Sequence, residues 1–175
     1  MREEGQAPAE HRAKGKEAWP SLVTAFCTVS DTRRGQEDRS AEVFMEKMAG
    51  AGHEVRHRAQ VPDEKEAIRR VVAGWLADPH LDAIVTSGGT GLSGRDVTVA
   101  ALRPLLDKEI PGFGELFRWL SFQEIGPAAM LSGALAGAAA GKLLVILPGS
   151  PKAVALALDK LLLPELSHLL WEIRR

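Results

Sequence analysis

Gly88, Gly89 and Gly91 fall within four positions of the run Ser87-Gly88-Gly89-Thr90-Gly91. Such a run can aim several backbone N–H groups at one anion with no Cβ in the way, and a helix opening after it adds positive potential. A tight strand-to-helix turn needing φ > 0 accounts for the same residues. The spacing is neither that of a P-loop nor that of a dinucleotide-binding fingerprint. Asp96, five residues past Gly91, can set a carboxylate beside whatever the glycines hold, which suits a polyphosphate only if Mg²⁺ stands between them. As N-cap of a helix starting near Val97 it has a purely structural role instead. Asp63 offers the same two alternatives, with Glu66 completing a capping-box signature. Lys152, in the first turn of a helix where the dipole disfavours a cation, suggests an anionic ligand nearby. His11, His53, His57, His80 and His168 show no metal-ligand spacing and read as solvated, and Ser30 has no histidine at a spacing that would suggest a hydrolase triad.

These residues need a frame, and the hydrophobic patterning supplies one. Leu22 to Val29 is a short, β-rich, nearly continuous apolar run that ends at Ser30-Asp31, as expected of a parallel strand covered on both faces. A polar loop from Thr32 to Arg39 follows. Ser40 then precedes a helix patterned on Val43, Phe44 and Met48 that stops at Gly50 and Gly52. His53 to Gln60 is polar enough for an edge strand, and Ile68, Val71, Val72 and Trp75-Leu76 give the next helix its apolar face. Asp82 to Thr86 is a third strand running into the glycine loop. Helices are expected near Val97 to Leu106 and Gly112 to Glu124, whereas Gly126 to Gly141 reads as mixed helix and loop. Leu143 to Leu147 is a buried strand, followed by Pro148-Gly149 and a helix with Ser150 as N-cap and Pro151 at N1, running to about Leu163. Alternating strands and helices imply an α/β fold of three α-β-α layers around a mostly parallel sheet. Ligands of such sheets bind at the carboxyl ends of the strands, so the exits at Ser30-Asp31, Ser87 to Gly91 and Pro148 to Lys152 are expected to share one crevice.

Composition narrows the class of protein. The 175 residues carry 22 Lys plus Arg against 23 Asp plus Glu, so no global charge attracts nucleic acid or an anionic membrane. The single cysteine, Cys27, fits a reducing compartment and a cytoplasmic location. The apolar stretch from Met130 to Leu147 is interrupted by Gly133, Gly137, Gly141 and Lys142, short of the ~20 apolar residues of a membrane span. Residues 1–18 alternate in charge and lack an apolar core, which predicts a disordered N-terminal tail ahead of a single domain over 19–175.

Six segments together resemble the molybdopterin-binding family, which includes MogA-type adenylyltransferases, MoaB-type proteins and the equivalent domain of gephyrin. They are Thr28-Val29-Ser30-Asp31-Thr32-Arg33, Val61-Pro62-Asp63-Glu64, Thr86 to Gly91, Arg95-Asp96-Val97-Thr98, Pro111-Gly112-Phe113-Gly114-Glu115 and Pro148-Gly149-Ser150-Pro151-Lys152. They occur in the family's order across about Leu22 to Leu166. The resemblance implies Mg²⁺-dependent adenylylation of molybdopterin, with ATP as co-substrate, in molybdenum cofactor synthesis. By position, Asp63 and Asp96 match the acidic pair of catalysis and metal handling. Ser30, Asp31, Ser87, Gly88, Gly89, Thr90, Gly91, Glu115, Pro148, Gly149, Ser150 and Lys152 match the substrate-binding segments. A role at the site for Asp63 then outweighs a cap alone.

Leu116 to Gly126 resembles the MoaB branch, some of whose members have doubtful adenylylating activity, whereas Arg95 to Thr98 reads like the active adenylyltransferases. The alternatives are a non-catalytic molybdopterin-binding protein and a CinA-like nucleotide pyrophosphatase. The family assembles as trimers, with hexamers in the MoaB branch, which implies a homo-oligomer. Apolar residues between Phe113 and Phe122 are candidates for its interface or for the core.

Overall fold

A computed structural model of the chain describes residues 6–31 and 38–175. Strands β1 (Val23–Val29), β2 (Glu54–Val61), β3 (Ala83–Ser87), β4 (Lys108–Glu109), β5 (Leu135–Ala139) and β6 (Lys142–Leu147) form one sheet in the order β2-β1-β3-β6-β5-β4. The first four in that order are mutually parallel, and β5 runs antiparallel to both β6 and β4. Helices α1 (Gln6–Ala18), α2 (Arg39–Gly50), α3 (Lys65–Leu76), α4 (Thr98–Leu102), α5 (Pro111–Ile125), α6 (Pro151–Ala157) and α7 (Leu163–Arg174) complete the elements, with 3₁₀ turns at Arg103–Leu105 and Gly126–Leu131.

Alternation along the central strands fills two cores. Phe26, Val85, Leu143, Val145 and Leu147 point to one face, where they meet Phe44, Met48, Phe113, Phe117 and the C-terminal helices. Ala25, Cys27, Ile84, Leu144 and Ile146 point to the other, against Ile68, Val72 and Leu102. That is the expected three-layer arrangement, and β2 is the polar edge strand, its residues alternately exposed until Val61. Among the described residues no helix is long and apolar enough to cross a membrane.

Several elements differ from the sequence reading. The N-terminal segment is not a tail throughout: residues 6–18 are α1, rich in Ala, Glu, Lys and Arg despite Pro8 and Gly15, and docked on α7. Gly15 is the point of closest approach, since a Cβ there would stand 2.8 Å from the backbone of Ser167 and His168. Asp38 caps α2, accepting the Ala41 N–H at 3.1 Å, and Ser40, expected to precede the helix, is buried inside its first turn. Within Gly126–Gly141 lies the strand β5, whose Ala and Gly residues give little β signal. Its hairpin to β6 closes through Ala140 and Gly141, both at positive φ (49° and 70°), a turn that matches the twist of the paired strands. The last helix continues past Leu163 through a π turn at Leu158–Leu162, where Pro164 lacks the N–H of a regular ladder.

Candidate functional site

The carboxyl ends of β1, β3 and β6 open into one crevice of about 540 Å³. Hydrogen bonds tie its loops together. Ser30 N–H donates to Val61 O (2.9 Å) and Asp63 N–H to Asp31 Oδ1 (3.0 Å), which joins the exits of β1 and β2. The β3 loop is bound to the β6 loop by Ser87 Oγ donating to Pro148 O (3.0 Å) and Gly88 N–H to Leu147 O (3.0 Å). Arg95 closes the ring by donating to Asp31 Oδ2 at 2.5 Å.

Only glycine fits parts of this junction. Gly88 and Gly89 take φ of 112° and 61°, a conformation rare for L side chains. A Cβ on Gly88 would strike Val29 O, and one on Gly89 would strike Asp63 Oδ1 and Thr98 Oγ1. Gly149 stands close enough that its own Cβ would lie 3.2 Å from Gly88 Cα. The Gly88 amide is used within the sheet. Those of Gly89, Thr90 and Gly91 have no backbone partner among the described residues and edge the crevice.

The structure brings Ser30, Asp31, Asp63, Ser87, Gly88, Gly89, Thr90, Gly91, Asp96, Pro148 and Gly149 to this one cavity. Neither aspartate serves as a helix cap. Glu64 holds the cap position of α3 and Val97 that of α4, in both cases without a side-chain cap bond. Asp96 instead accepts the Ser93 N–H through Oδ2 (3.0 Å) and lies over Gly91.

Ser150 and Lys152 stand aside. They line a side pocket of about 180 Å³ between α5 and α6, sharing the Ser132 and Pro148 walls with the crevice. The Ser150 hydroxyl caps α6 as expected, accepting the Ala153 N–H at 3.1 Å. Glu115 is not brought to the crevice within this chain, because α5 turns Phe113 and Phe117 into the core and leaves Glu115 on its exposed side. Thr32 and Arg33 lie outside the described residues.

Ala128, Leu131 and Ser132 form a wall that sequence reasoning did not assign, since they come from the Ala/Gly-rich segment with no recognisable pattern. Ser93 and Arg95 also line the crevice.

Among the described lining residues the crevice holds three carboxylates, Asp31, Asp63 and Asp96, against one guanidinium, Arg95, whose side chain is 79% exposed. Asp63 Oδ1 and Thr98 Oγ1 are enclosed without a hydrogen-bond partner. Burial first, then the Asp31 and Asp96 charges, push the Asp63 carboxyl above the ordinary carboxylate range, while the bond to the Asp31 backbone segment and the Arg95 charge pull it back. Hard oxygen ligands in an acidic pocket, one of them lacking a partner, fit a Mg²⁺ ion.

A carboxyl with a raised pKa binds its proton more tightly in the folded chain than in the unfolded one. Its charged form therefore weakens the fold above the raised pKa, and that penalty disappears as pH falls below the ordinary carboxylate range. Asp63→Asn is expected to raise Tm at neutral pH while impairing the site, and the Tm gain over wild type should shrink as the buffer is acidified. A lower Tm at neutral pH would mean that Asp63 is structural.

The histidines are not all solvated. His53 Nδ1 accepts the Leu22 N–H (3.2 Å), His57 Nε2 meets Asp78 Oδ2 (3.2 Å), and His11 and His168 approach Glu172 from two different helices. Sequence spacing could not show the last, which depends on α1 docking.

Residues 23–168 match the family described as "Probable molybdopterin binding domain". The chain is 43% identical over 171 residues to molybdenum cofactor biosynthesis protein B of Bacillus cereus, covering 97% of this chain and 95% of the relative. A crystal structure of a molybdenum cofactor biosynthesis protein B superposes with a TM-score of 0.85 at 44% identity, covering 89% of this chain and 97% of that one. A structure of MogA superposes with a TM-score of 0.79 at 27% identity, covering 86% and 99% respectively.

Proposed function

The chain belongs to the molybdopterin-binding domain family of molybdenum cofactor biosynthesis, and on that premise we propose that it transfers the adenylyl group of ATP to molybdopterin. In this reaction an oxygen of the pterin's terminal phosphate attacks the α-phosphorus of ATP. A new P–O–P bond forms, the bond between the α-phosphorus and its bridging oxygen breaks, and pyrophosphate leaves.

The observation that carries this reading is the enclosed, unpartnered Asp63 Oδ1 facing the Gly89 turn in a crevice with more carboxylates than cations. Two polyanionic substrates cannot share such a pocket unless charge is supplied. Asp63 and Asp96 are the residues that would hold Mg²⁺, which supplies phosphoryl charge neutralisation when bound. The chain's own part is positioning: amides from Gly89 to Gly91 hold phosphoryl oxygens, Arg95 supplies a guanidinium at the rim, and the Ser87–Pro148 tie keeps the two loops in register. No side chain is needed as a covalent nucleophile. Incubation of the protein with molybdopterin, ATP and Mg²⁺ tests the reading by the appearance of adenylylated pterin.

The greater identity to protein B than to MogA favours, as a second reading, a protein that binds and protects the pterin without adenylylating it. It predicts pterin affinity with no product.

Assembly into a homo-oligomer is supported by α5. Of the residues read as interface candidates, Phe113 and Phe117 are core, but Leu116, Trp119 and Phe122 are 52%, 61% and 50% exposed. Met130 lines one shallow pocket with Trp119 and Phe122, and Ile125 and Leu131 are exposed as well. Exposed apolar side chains grouped in this way are characteristic of a buried interface. Trp119→Glu is expected to shift the particle in light scattering from an oligomer to a monomer of 18.9 kDa; an unchanged oligomer would place the interface elsewhere.

A further inference from the structure

At the other end of the sheet from the crevice, two helices distant in sequence bring a metal-ligand set together. Arg174 marks the location: its guanidinium reaches Gly141 O and Asp82 Oδ1, at the amino ends of β6 and β3. Two and six residues back on the same helix, α7, stand Glu172 and His168, and α1 contributes His11. Donor atoms of these three residues all lie within 4.8 Å of one another.

We propose that His11, His168 and Glu172 form a binding site for a divalent transition-metal ion, with Zn²⁺ as the best match. Two imidazoles and a carboxylate, with a fourth position for water, are an established Zn²⁺ ligand set. His11 Nδ1 is 3.0 Å and His168 Nε2 3.6 Å from the same oxygen, Glu172 Oε1. Tetrahedral Zn²⁺ with bonds of about 2.0–2.2 Å sets its ligand atoms about 3.3 Å apart, so small side-chain movements suffice.

The surroundings support the assignment. His168 Nδ1 lies 2.9 Å from Glu165 Oε2, and Glu165 in turn pairs with Arg12. A carboxylate on the far nitrogen of a ligating histidine fixes the ring and raises its basicity. Arg175 reaches the opposite oxygen, Glu172 Oε2, at 2.9 Å and leaves Oε1 to the two histidines. The Arg12, Lys14 and Arg175 charges oppose a cation, but all three side chains belong to exposed residues that can swing into solvent.

Such an ion would fasten α1, of whose residues 9–18 only Gly15 is buried, and it stands apart from the reaction proposed for the crevice. The tag-free, full-length chain is stripped with a chelator and titrated with Co²⁺ while visible absorption is followed. Zn²⁺ is then competed against a chromophoric chelator. The expected result is one ion per chain, a Co²⁺ band of tetrahedral intensity displaced by Zn²⁺, and a rise in Tm on Zn²⁺ addition. His11→Ala and His168→Ala should each weaken Zn²⁺ binding by about 100-fold or more, beyond what loss of an outer-shell partner costs. The near-isosteric Glu172→Gln should weaken it with the helices intact by circular dichroism, while Asp96→Asn and His80→Ala leave it unchanged. Absence of the Co²⁺ band, or its survival in both His11→Ala and Glu172→Gln, overturns the site.

Discussion

Asp96→Asn is expected to lower kcat for adenylyl transfer by about 10²-fold or more while leaving Tm within a degree or so of wild type. The side chain's structural bond is to the Ser93 N–H, through Oδ2. An asparagine oxygen can accept the same bond, so the substitution removes a charge and little else. In a crevice with three carboxylates and one guanidinium, that charge has no evident structural benefit. It adds to the repulsion that raises the Asp63 pKa, and such a cost is tolerable where the group serves a bound cation. Stopped-time assays of adenylylated pterin, together with thermal melts, check both parts. Unchanged turnover would remove Asp96 from the mechanism; a collapsed Tm would make it a structural residue.

Gly88→Ala is expected to damage fold and site together. The residue sits at φ 112°, and an added Cβ would meet the carbonyl oxygen of Val29, a residue locked into the ladder between β1 and β2. Neither side of that contact is the free end of a side chain. Backbone strain of this kind costs about 1–3 kcal/mol before the clash is counted. For a chain of this length that lowers Tm by several degrees, at roughly 2–4 °C per kcal/mol. The turn would open, and the amides from Gly89 to Gly91 would lose their aim, so nucleotide affinity should fall as well. Gly94→Ala is the matched control: it lies in the same loop at ordinary φ, with nothing within 4 Å of its added Cβ. Equal melting curves for the two variants would contradict the close packing claimed for the junction.

The parts of the fold set by strong local patterns were legible in the residues alone. Apolar runs such as Leu143 to Leu147 mark strands buried on both faces, and Ser150-Pro151 is a cap that forms as written. What escaped has a common cause: the signal lay in distant partners. β5 is an Ala/Gly strand because Gly137 passes so close to β4 that a Cβ would meet Lys108 O at 2.5 Å, a constraint invisible in its own residues. Helix α1 lacks an apolar stripe and is held by contact with α7, so its charges alone read as a tail. At Asp63 the local rule pointed to a cap, yet the turn places its amide on Asp31 and its carboxylate in the crevice. Departures from a local rule are expected at functional sites, and this one falls in the candidate site.

Label transfer from ATP carrying ³²P at the α-position tests the central claim most directly. With wild-type protein, molybdopterin and Mg²⁺, the label should move onto the pterin with one pyrophosphate released for each adenylyl group transferred. Label that stays in ATP while pterin is bound, or that appears as free AMP without modified pterin, would contradict it.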